Sequence, residues 1–513
     1  MSQPTFYKLF ALFIPIWFSY ASPAQDVKHK KPNIIFILSD DHTNKAIGVY
    51  GNKLAKTPNI DRIANEGALF NNFFVTNSIC GPSRAALLTG KYSHVNGFIS
   101  NDKKFNINQF IFSRSLAESG YQTAWIGKWH LETLPQDAFS YWTILPDQGY
   151  YFNPDFITQA NDTVNHKGYV TDIITDLSKD WIEKRDKDKP FFLVIGEKAT
   201  HREWLPALED LGAYDDVTFP VPSTFYDTYE NRKAAAHQDM SISGTMKLGF
   251  DLKVNVDYET DWIYSRLDSE QRNAYRAYYG DRISKEFNDR KLTGKKLAEW
   301  KFQRYMRDYF STAKALDRNI GKILNFLDDN GLAENTIVIY GSDQGFYLGE
   351  HGWFDKRFIY EESLRTPFMI RYPRVIKAGT VIEQPVLNID WAPTLLAMAD
   401  APASKEIQGK SFFDLLKNDE VSWRDRIYYH YYEYPQPHRV MPHFGIRTTK
   451  FKLIRFYGEQ DFWELYDLEK DPQELSNIYS EFENSELLIA LKKDLAISIK
   501  EYKDDLAAEI MSK

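Results

Sequence analysis

The strongest constraint on the fold is a pattern repeated down the chain: a short, purely apolar run, a polar cluster at its end, then a helical stretch. Ile34-Ile35-Phe36-Ile37-Leu38 is apolar without alternation, as a strand covered on both faces must be, and it ends in Ser39-Asp40-Asp41. Thr123 to Ile126 runs into Gly127-Lys128-Trp129-His130, and Phe191 to Ile195 leads to His201. A helical stretch from Tyr305 to Asn330, closed by Gly331, precedes Thr336 to Tyr340, which runs into Gly341-Ser342-Asp343-Gln344-Gly345. The pattern predicts an α/β fold over residues 31–407, with a large, mixed but mainly parallel sheet sandwiched by helices. Ligands bind beyond the carboxyl ends of strands in such sheets, so these polar clusters should converge on one site.

Beyond Gln408 the chain turns strongly aromatic, in Ile427-Tyr428-Tyr429-His430-Tyr431-Tyr432, and alternating strands such as Phe451 to Phe456 follow. A smaller α+β subdomain is expected over 408–513, with an antiparallel sheet and a closing helix from about Glu481. The stretch from Arg202 to about Trp300, charged and aromatic without a clear period, is expected to be a helical insertion or lid. Lys8, the apolar run Leu9 to Phe18 and the small-residue site Ser22-Pro23-Ala24 read as an export signal over 1–24. That run is too short to span a bilayer comfortably, and no other run is long enough. The expectation is an exported protein, periplasmic or extracellular, with no membrane attachment after cleavage. A net charge of −8 argues against nucleic acid as a partner. An anionic substrate would need a local cluster of cations.

Cys80 is the only cysteine, so no disulfide can form within the chain. It opens the segment Cys80-Gly81-Pro82-Ser83-Arg84-Ala85-Ala86-Leu87-Leu88-Thr89-Gly90, in which Pro82 suits a first helical turn and Gly90 a helix end. Cys80 should therefore sit just before a helix N-terminus, where free N–H groups and the helix dipole favour anions and Arg84 adds a guanidinium. A lone cysteine is equally often a small buried hydrophobe, and its position here favours function. Asp40, Asp41, Asp343 and Gln344 offer oxygen ligands only, which suits Ca²⁺ and disfavours zinc. Paired aspartates after one strand are usually loop residues, whereas two carboxylate-bearing strand ends together are a stronger signal. His94 has two readings: a hydrogen-bond partner of a metal-binding carboxylate, or a histidine at a helix end.

The run Cys80-Gly81-Pro82-Ser83-Arg84, continued through Leu87-Leu88-Thr89-Gly90, resembles the maturation signature of the sulfatase family, in which the cysteine becomes formylglycine. Gly120-Tyr121-Gln122-Thr123-Ala124-Trp125-Ile126-Gly127-Lys128-Trp129-His130 resembles the family's second signature, and the likeness continues through Asp343-Gln344-Gly345 and Leu348-Gly349-Glu350-His351-Gly352 to Leu465-Tyr466-Asp467-Leu468. The resemblance implies a sulfuric ester hydrolase of the alkaline-phosphatase-like superfamily, matured by a formylglycine-generating enzyme. It implies one Ca²⁺ on Asp40, Asp41, Asp343, Gln344 and the matured Cys80. It assigns Arg84 and Lys128 to the formylglycine and sulfate oxygens, and His130 to the later return to the aldehyde. His201 and Lys356 are assigned to the leaving-group oxygen, and Asp343 is the expected base. One departure is that Thr200 stands before His201, where the family usually has proline.

Within the family the chain is similar to sulfatases of polysaccharide-degrading bacteria, so a sulfated carbohydrate is the expected substrate. N-acetylglucosamine 6-sulfate of host glycans and algal polysaccharides such as ulvan are the candidates. Asp102, Trp353, Arg357, His438, Arg439 and His443 are candidate substrate contacts, and Tyr428 to Tyr434 reads either as an aromatic platform for sugars or as strand packing. Two rival functions are a phosphatase or phosphodiesterase of the same superfamily, which would need a His-rich second metal set, and a noncatalytic glycan-binding relative.

Overall fold

The strand Asn33–Ser39 lies at the centre of a ten-stranded sheet, and its alternation of faces explains why it is apolar throughout. Ile34, Phe36 and Leu38 enter a core with Phe112, Leu116, Trp391 and Leu395. Ile35 and Ile37 enter a second core on the other face, with Ile174, Ile320 and Leu324. Each such side chain contributes about 1.5–3 kcal/mol of burial, so neither face tolerates a polar residue. The computed structural model describes residues 1–6, 30–417 and 421–513; of the export signal expected over 1–24, residues 7–24, with its apolar run, lie outside the described residues.

Five neighbouring strands of the sheet are parallel: Thr336–Ser342, Asn33–Ser39, Phe191–Gly196, Gln122–Lys128 and Tyr141–Leu145. Antiparallel pairs lie toward each edge, through Phe368–Arg371 on one side and Asp155–Thr158 on the other. This is the mixed, mainly parallel sheet expected. Near their carboxyl ends two strands approach closely at Gly127, whose φ is +101° and whose added Cβ would stand 2.1 Å from the Gly196 carbonyl oxygen. Only glycine fits there, and Lys128 and His130 follow at once.

The long helix Gly294–Asp329 starts well before the expected Tyr305. Before Tyr305 it buries only Ala298, Lys301, Phe302 and Arg304, too sparse an apolar stripe to show a period. The 202–300 stretch contains short helices, Lys233–His237 and Ser269–Tyr275 among them, joined mostly by turns. Its Trp204, Tyr214, Phe219 and Phe225 are buried with Phe302, Tyr305, Tyr309 and Phe310 of the long helix. It is a packed layer of mostly irregular chain rather than a helical lid.

At the C-terminal end Arg426–Tyr431, His443–Thr448, Phe451–Phe456 and Phe462–Asp467 form a sequential antiparallel sheet. A helix over Glu486–Tyr502 follows, beginning later than expected because Ser485 caps it, its side chain accepting from the Leu488 N–H at 3.1 Å. Tyr428, Tyr429 and Tyr431 are fully buried in this subdomain's core, so these tyrosines are strand packing and not a sugar platform. The sheet and its helix belong to the same compact unit as the large sheet, Lys31–Lys513. Among the described residues no helix is long and apolar enough to cross a membrane.

Candidate active site

Cys80 is the first residue of the helix Cys80–Thr89, one position further in than expected. Ile79 precedes it in extended conformation, Pro82 lies in the first turn, and Gly90 closes the helix with a φ of +65°. The helix is buried along its whole length, so its apolar residues hold it in the core while its N-terminus faces the strand ends. Cys80 is 1% exposed, and burial pushes its thiol up to about 12, so as a plain thiol it is a weak nucleophile. Its Sγ donates to Asp40 Oδ1 at 3.3 Å, and Gln344 Nε2 donates to Sγ at 3.6 Å.

Around it the strand ends meet as the sequence pattern requires. Oxygens of Asp40, Asp41 and Asp343 lie within 4.8 Å of one another, all buried. Burial pushes the Asp41 carboxyl up, Lys356 pulls it back, and Asp343 and Asp355 push it up again, to about 6. Gln344 turns its amide nitrogen to Asp41 Oδ1, leaving its Oε1 buried without a partner among the described residues. Three crowded carboxylates and an orphaned amide oxygen form a donor set for a hard cation. Asp40, Cys80 and His201 also come within 4.8 Å, but a thiol kept protonated by burial is a poor metal ligand.

Three basic side chains are threaded between these acids. Arg84 Nε donates to Asp343 Oδ2 at 3.0 Å and one of its terminal nitrogens to the Lys128 carbonyl at 2.9 Å, while the other is buried without a partner among the described residues. Lys128 Nζ pairs with Asp40, and Lys356 Nζ donates to both Asp41 oxygens at 2.7 and 2.8 Å. Burial works against the Lys356 charge, but Asp41, Cys80 and Asp355 outweigh it and hold the ammonium above the ordinary lysine range. His201 spends its Nδ1–H on the Arg202 carbonyl at 2.6 Å and brings Nε2 to 4.0 Å from Asp41. Burial and the nearby lysines keep His201 neutral, and burial with Lys128 and Arg84 does the same for His130. Thr200, in place of a proline, donates its backbone N–H to the Asp40 carbonyl at 2.6 Å and its hydroxyl to that of Asp41 at 3.1 Å, so this departure ties the His201 loop to the carboxylates.

The substrate candidates divide. Arg357 Nε lies 3.2 Å from Asp355 Oδ1, its guanidinium pairs with Glu433, and His438 Nε2 lies 3.2 Å from Asp355 Oδ2. Asp355, Arg357 and His438 have φ of +83°, +98° and +70°, backbone positions costing about 1–3 kcal/mol each that cluster at functional sites. A chain of contacts leads from here to the neighbour of Cys80: Glu433 Oε1 accepts from the Asn101 N–H at 3.1 Å, and Asn101 Oδ1 from the Gly81 N–H at 3.2 Å. The other candidates lie elsewhere. Asp102 is exposed and bonded to Ser100, and Arg439 is exposed beside His237. Trp353 is fully buried, stacked with Tyr229 and Phe358. His443 accepts from the Ile359 N–H and donates to the Met441 carbonyl. His94 is not beside the carboxylates: Nε2 donates to the carbonyl of Tyr502, and Nδ1 lies 3.2 Å from Asp504. It ties the segment after the Cys80 helix to the end of the helix Glu486–Tyr502.

Sequence reasoning missed Asp355, Asn101, Glu433, Lys198 and Gln148. Lys198 is 1% exposed, with Nζ 4.7 Å from the Tyr151 ring, and it stands in the Lys198-Ala199-Thr200-His201 run without having been given a role. Gln148 follows a fifth parallel strand, Tyr141–Leu145, whose polar end was not counted among the converging clusters.

The sulfatase family profile matches residues 32–401, and a profile described as N-sulphoglucosamine sulphohydrolase, C-terminal, matches 349–501. The chain is 47% identical over 502 residues to an N-acetylglucosamine-6-O-sulfatase of Bacteroides thetaiotaomicron, covering 95% of this chain and 89% of the relative. It is 26% identical to an ulvan-active sulfatase of Formosa agariphila, over 92% and 83% of the two. Among solved structures it resembles BT4656 in complex with its substrate D-glucosamine-2-N,6-O-disulfate, at a TM-score of 0.90 and 47% identity over 93% of this chain and 99% of that one. With these likenesses over almost the whole chain, and with the Cys80 helix and the three carboxylates brought together, the chain belongs to the sulfatase family and is a sulfuric ester hydrolase.

Proposed function

We propose that the protein is an exported enzyme that removes the 6-O-sulfate of glucosamine-type residues, N-acetylated or N-sulfated, in glycosaminoglycan-like host glycans. The observation that carries this reading is the 47% identity to an N-acetylglucosamine-6-O-sulfatase along almost the whole chain, against 26% to an ulvan-active relative. Asp40, Asp41, Asp343 and Gln344 would hold one Ca²⁺, which supplies positive charge for the oxygens around the sulfur. Cys80, oxidised by a formylglycine-generating enzyme, supplies a hydrated aldehyde as the oxygen nucleophile. The high pKa of the unmodified thiol supports that need.

The chain's own side chains divide the remaining work. Arg84, with one unpartnered guanidinium nitrogen, and Lys128 orient the sulfate oxygens and offset their charge. Asp343, held by Arg84 and by the Asp41 N–H at 3.2 Å, takes up the nucleophile's proton. Lys356 Nζ, beside Asp41, protonates the departing sugar oxygen, and His201, with Nε2 beside the same carboxylate, helps to position it. His130 serves the release of inorganic sulfate. Overall, ester and water give a sugar hydroxyl and sulfate. The Asp355–Arg357–His438 cluster is the proposed contact with the sugar hydroxyls. The test is sulfate release from a panel of defined esters. Glucosamine and N-acetylglucosamine 6-sulfates should be cleaved, and exclusive cleavage of sulfated rhamnose or galactose would overturn the substrate class.

A further inference from the structure

The packed 202–300 layer leaves one large ring in solvent: Trp262, 54% exposed, is the only exposed tryptophan among the described residues. The turn that carries it is pinned. Ile263 and Tyr264 beside it are buried in the core, Asp261 accepts the Ile263 N–H at 3.0 Å, and Ser265 donates its hydroxyl to the Trp262 carbonyl at 2.7 Å. Two half-buried rings flank it, Tyr150 at 6.2 Å and Phe250 at 6.3 Å between centroids. Each is backed by a guanidinium that a carboxylate holds in place. Arg266 lies 4.7 Å from the Tyr150 ring and pairs with Asp155 at 2.7 Å; Arg202 lies 5.1 Å from the Phe250 ring and pairs with Asp251 at 2.7 Å. Single exposed apolar side chains are ordinary on a surface, but three adjoining rings fixed from behind make a rigid aromatic patch.

The patch adjoins the catalytic pocket at two points. Tyr150 follows Gln148-Gly149, and the Gln148 amide lies 2.5 Å from Lys128 Nζ and 2.8 Å from His130 Nε2. Arg202 follows His201, and its guanidinium is also 5.0 Å from the ring of Phe354, which precedes Asp355 and meets the His438 ring at 5.6 Å. Tyr151 donates its hydroxyl to the His201 carbonyl at 2.5 Å and stitches the two approaches together. The sugar is the leaving group, so it lies on the Lys356 and His201 side of the sulfur, and whatever is attached to it emerges there. The apolar C–H face of a pyranose stacks on an aromatic ring while its hydroxyls stay hydrated at the rim. We propose that Trp262, with Tyr150 and Phe250, is a binding platform for a sugar residue linked to the sulfated one, so that the enzyme recognises a stretch of glycan chain beyond the residue it desulfates. The inference rests on the proposed reading of the pocket as that of a sugar sulfatase, and one arm of its test needs no turnover.

The test compares the full chain as wild type, Trp262→Ala and Trp262→Phe; the side chain is exposed on a turn, so its replacement leaves the core intact, which thermal unfolding checks. The probes are N-acetylglucosamine 6-sulfate and two trisaccharides that carry this residue at the nonreducing end or in the middle, so that a neighbour on either side can reach the platform. Matured wild type should show a kcat/KM about 5- to 30-fold higher on the better trisaccharide than on the single sugar, the share of binding that a stacked ring supplies. Trp262→Ala should lose most of that preference, mainly through KM, and Trp262→Phe should restore part of it. With unmatured protein, whose Cys80 thiol leaves the ester uncleaved, calorimetry should show the same trisaccharide bound about 5- to 30-fold more weakly by Trp262→Ala than by wild type. Equal wild-type kcat/KM on single sugar and trisaccharides, a Trp262→Ala loss of the same size on both, or trisaccharide binding that Trp262→Ala leaves unchanged would each overturn the proposal. Sulfate release only from a different sugar would instead defeat the proposed substrate, and the same comparison between that sugar and its trisaccharides would then decide the platform.

Discussion

Replacing Lys356 with alanine tests its proposed role as the acid that protonates the leaving group. Nζ holds both Asp41 oxygens at 2.7 and 2.8 Å, and the residue is 4% exposed, so its charge acts with little screening by water. A charge-assisted hydrogen bond of this kind is worth about 1.5–3 kcal/mol, so Lys356→Ala should lower kcat/KM on a sugar sulfate by about 10- to 200-fold. A nitrophenyl sulfate releases a phenolate that needs little protonation, so the same variant should lose about threefold or less on that ester. The assay compares sulfate release from N-acetylglucosamine 6-sulfate with nitrophenol release, after matching formylglycine and calcium content between the proteins. Equal losses on both esters would refute the reasoning and place Lys356 on the sulfate or the cation instead.

Chelation should lower both activity and Tm, with Ca²⁺ restoring them and Zn²⁺ failing to, because the donors are carboxylates and an amide oxygen. Burial opposes the charge of Asp227, but hydrogen bonds from His351 and Arg232 overcome it and pull the carboxyl down to about 2. A carboxyl depressed in the folded state adds stability above its unfolded value near 4 and loses it as pH falls through 2; Asp227→Asn should therefore cost about 2 kcal/mol at pH 7 and about half of that near pH 3, as read by denaturant unfolding. Gly127→Ala forces a Cβ against the Gly196 carbonyl at a φ of +101°, and should cost about 2–5 kcal/mol in unfolding experiments and disturb Lys128.

Much of this architecture could be read from residue order because the chemistry sits where the pattern breaks. An unbroken run such as Ile34 to Leu38 has to be a strand with two covered faces, and its end at Ser39-Asp40-Asp41 has to lie at the sheet's carboxyl edge. Cys80, Arg84 and Pro82 are linked by one helical turn, so their grouping is local. The sugar side is different. Asp355 meets His438 and Arg357 meets Glu433 only because the C-terminal subdomain folds back, a closure across many residues that no local period records. For the same reason Trp353 and His443 read as contacts from their type and neighbourhood, yet tertiary packing buries both. Gln148 was hidden in Asp147-Gln148-Gly149, which on its own is an ordinary turn, and His94 found its partners in Asp504 and Tyr502 at the far end of the chain.

The central claim, that Cys80 works only after oxidation, is tested most directly by mass spectrometry of the Cys80 peptide alongside turnover of the same preparations. Samples made with and without the maturation enzyme should show sulfate release rising in proportion to the formylglycine fraction, with none where the peptide carries only cysteine. Full activity in a sample whose Cys80 peptide is entirely unmodified would contradict the account.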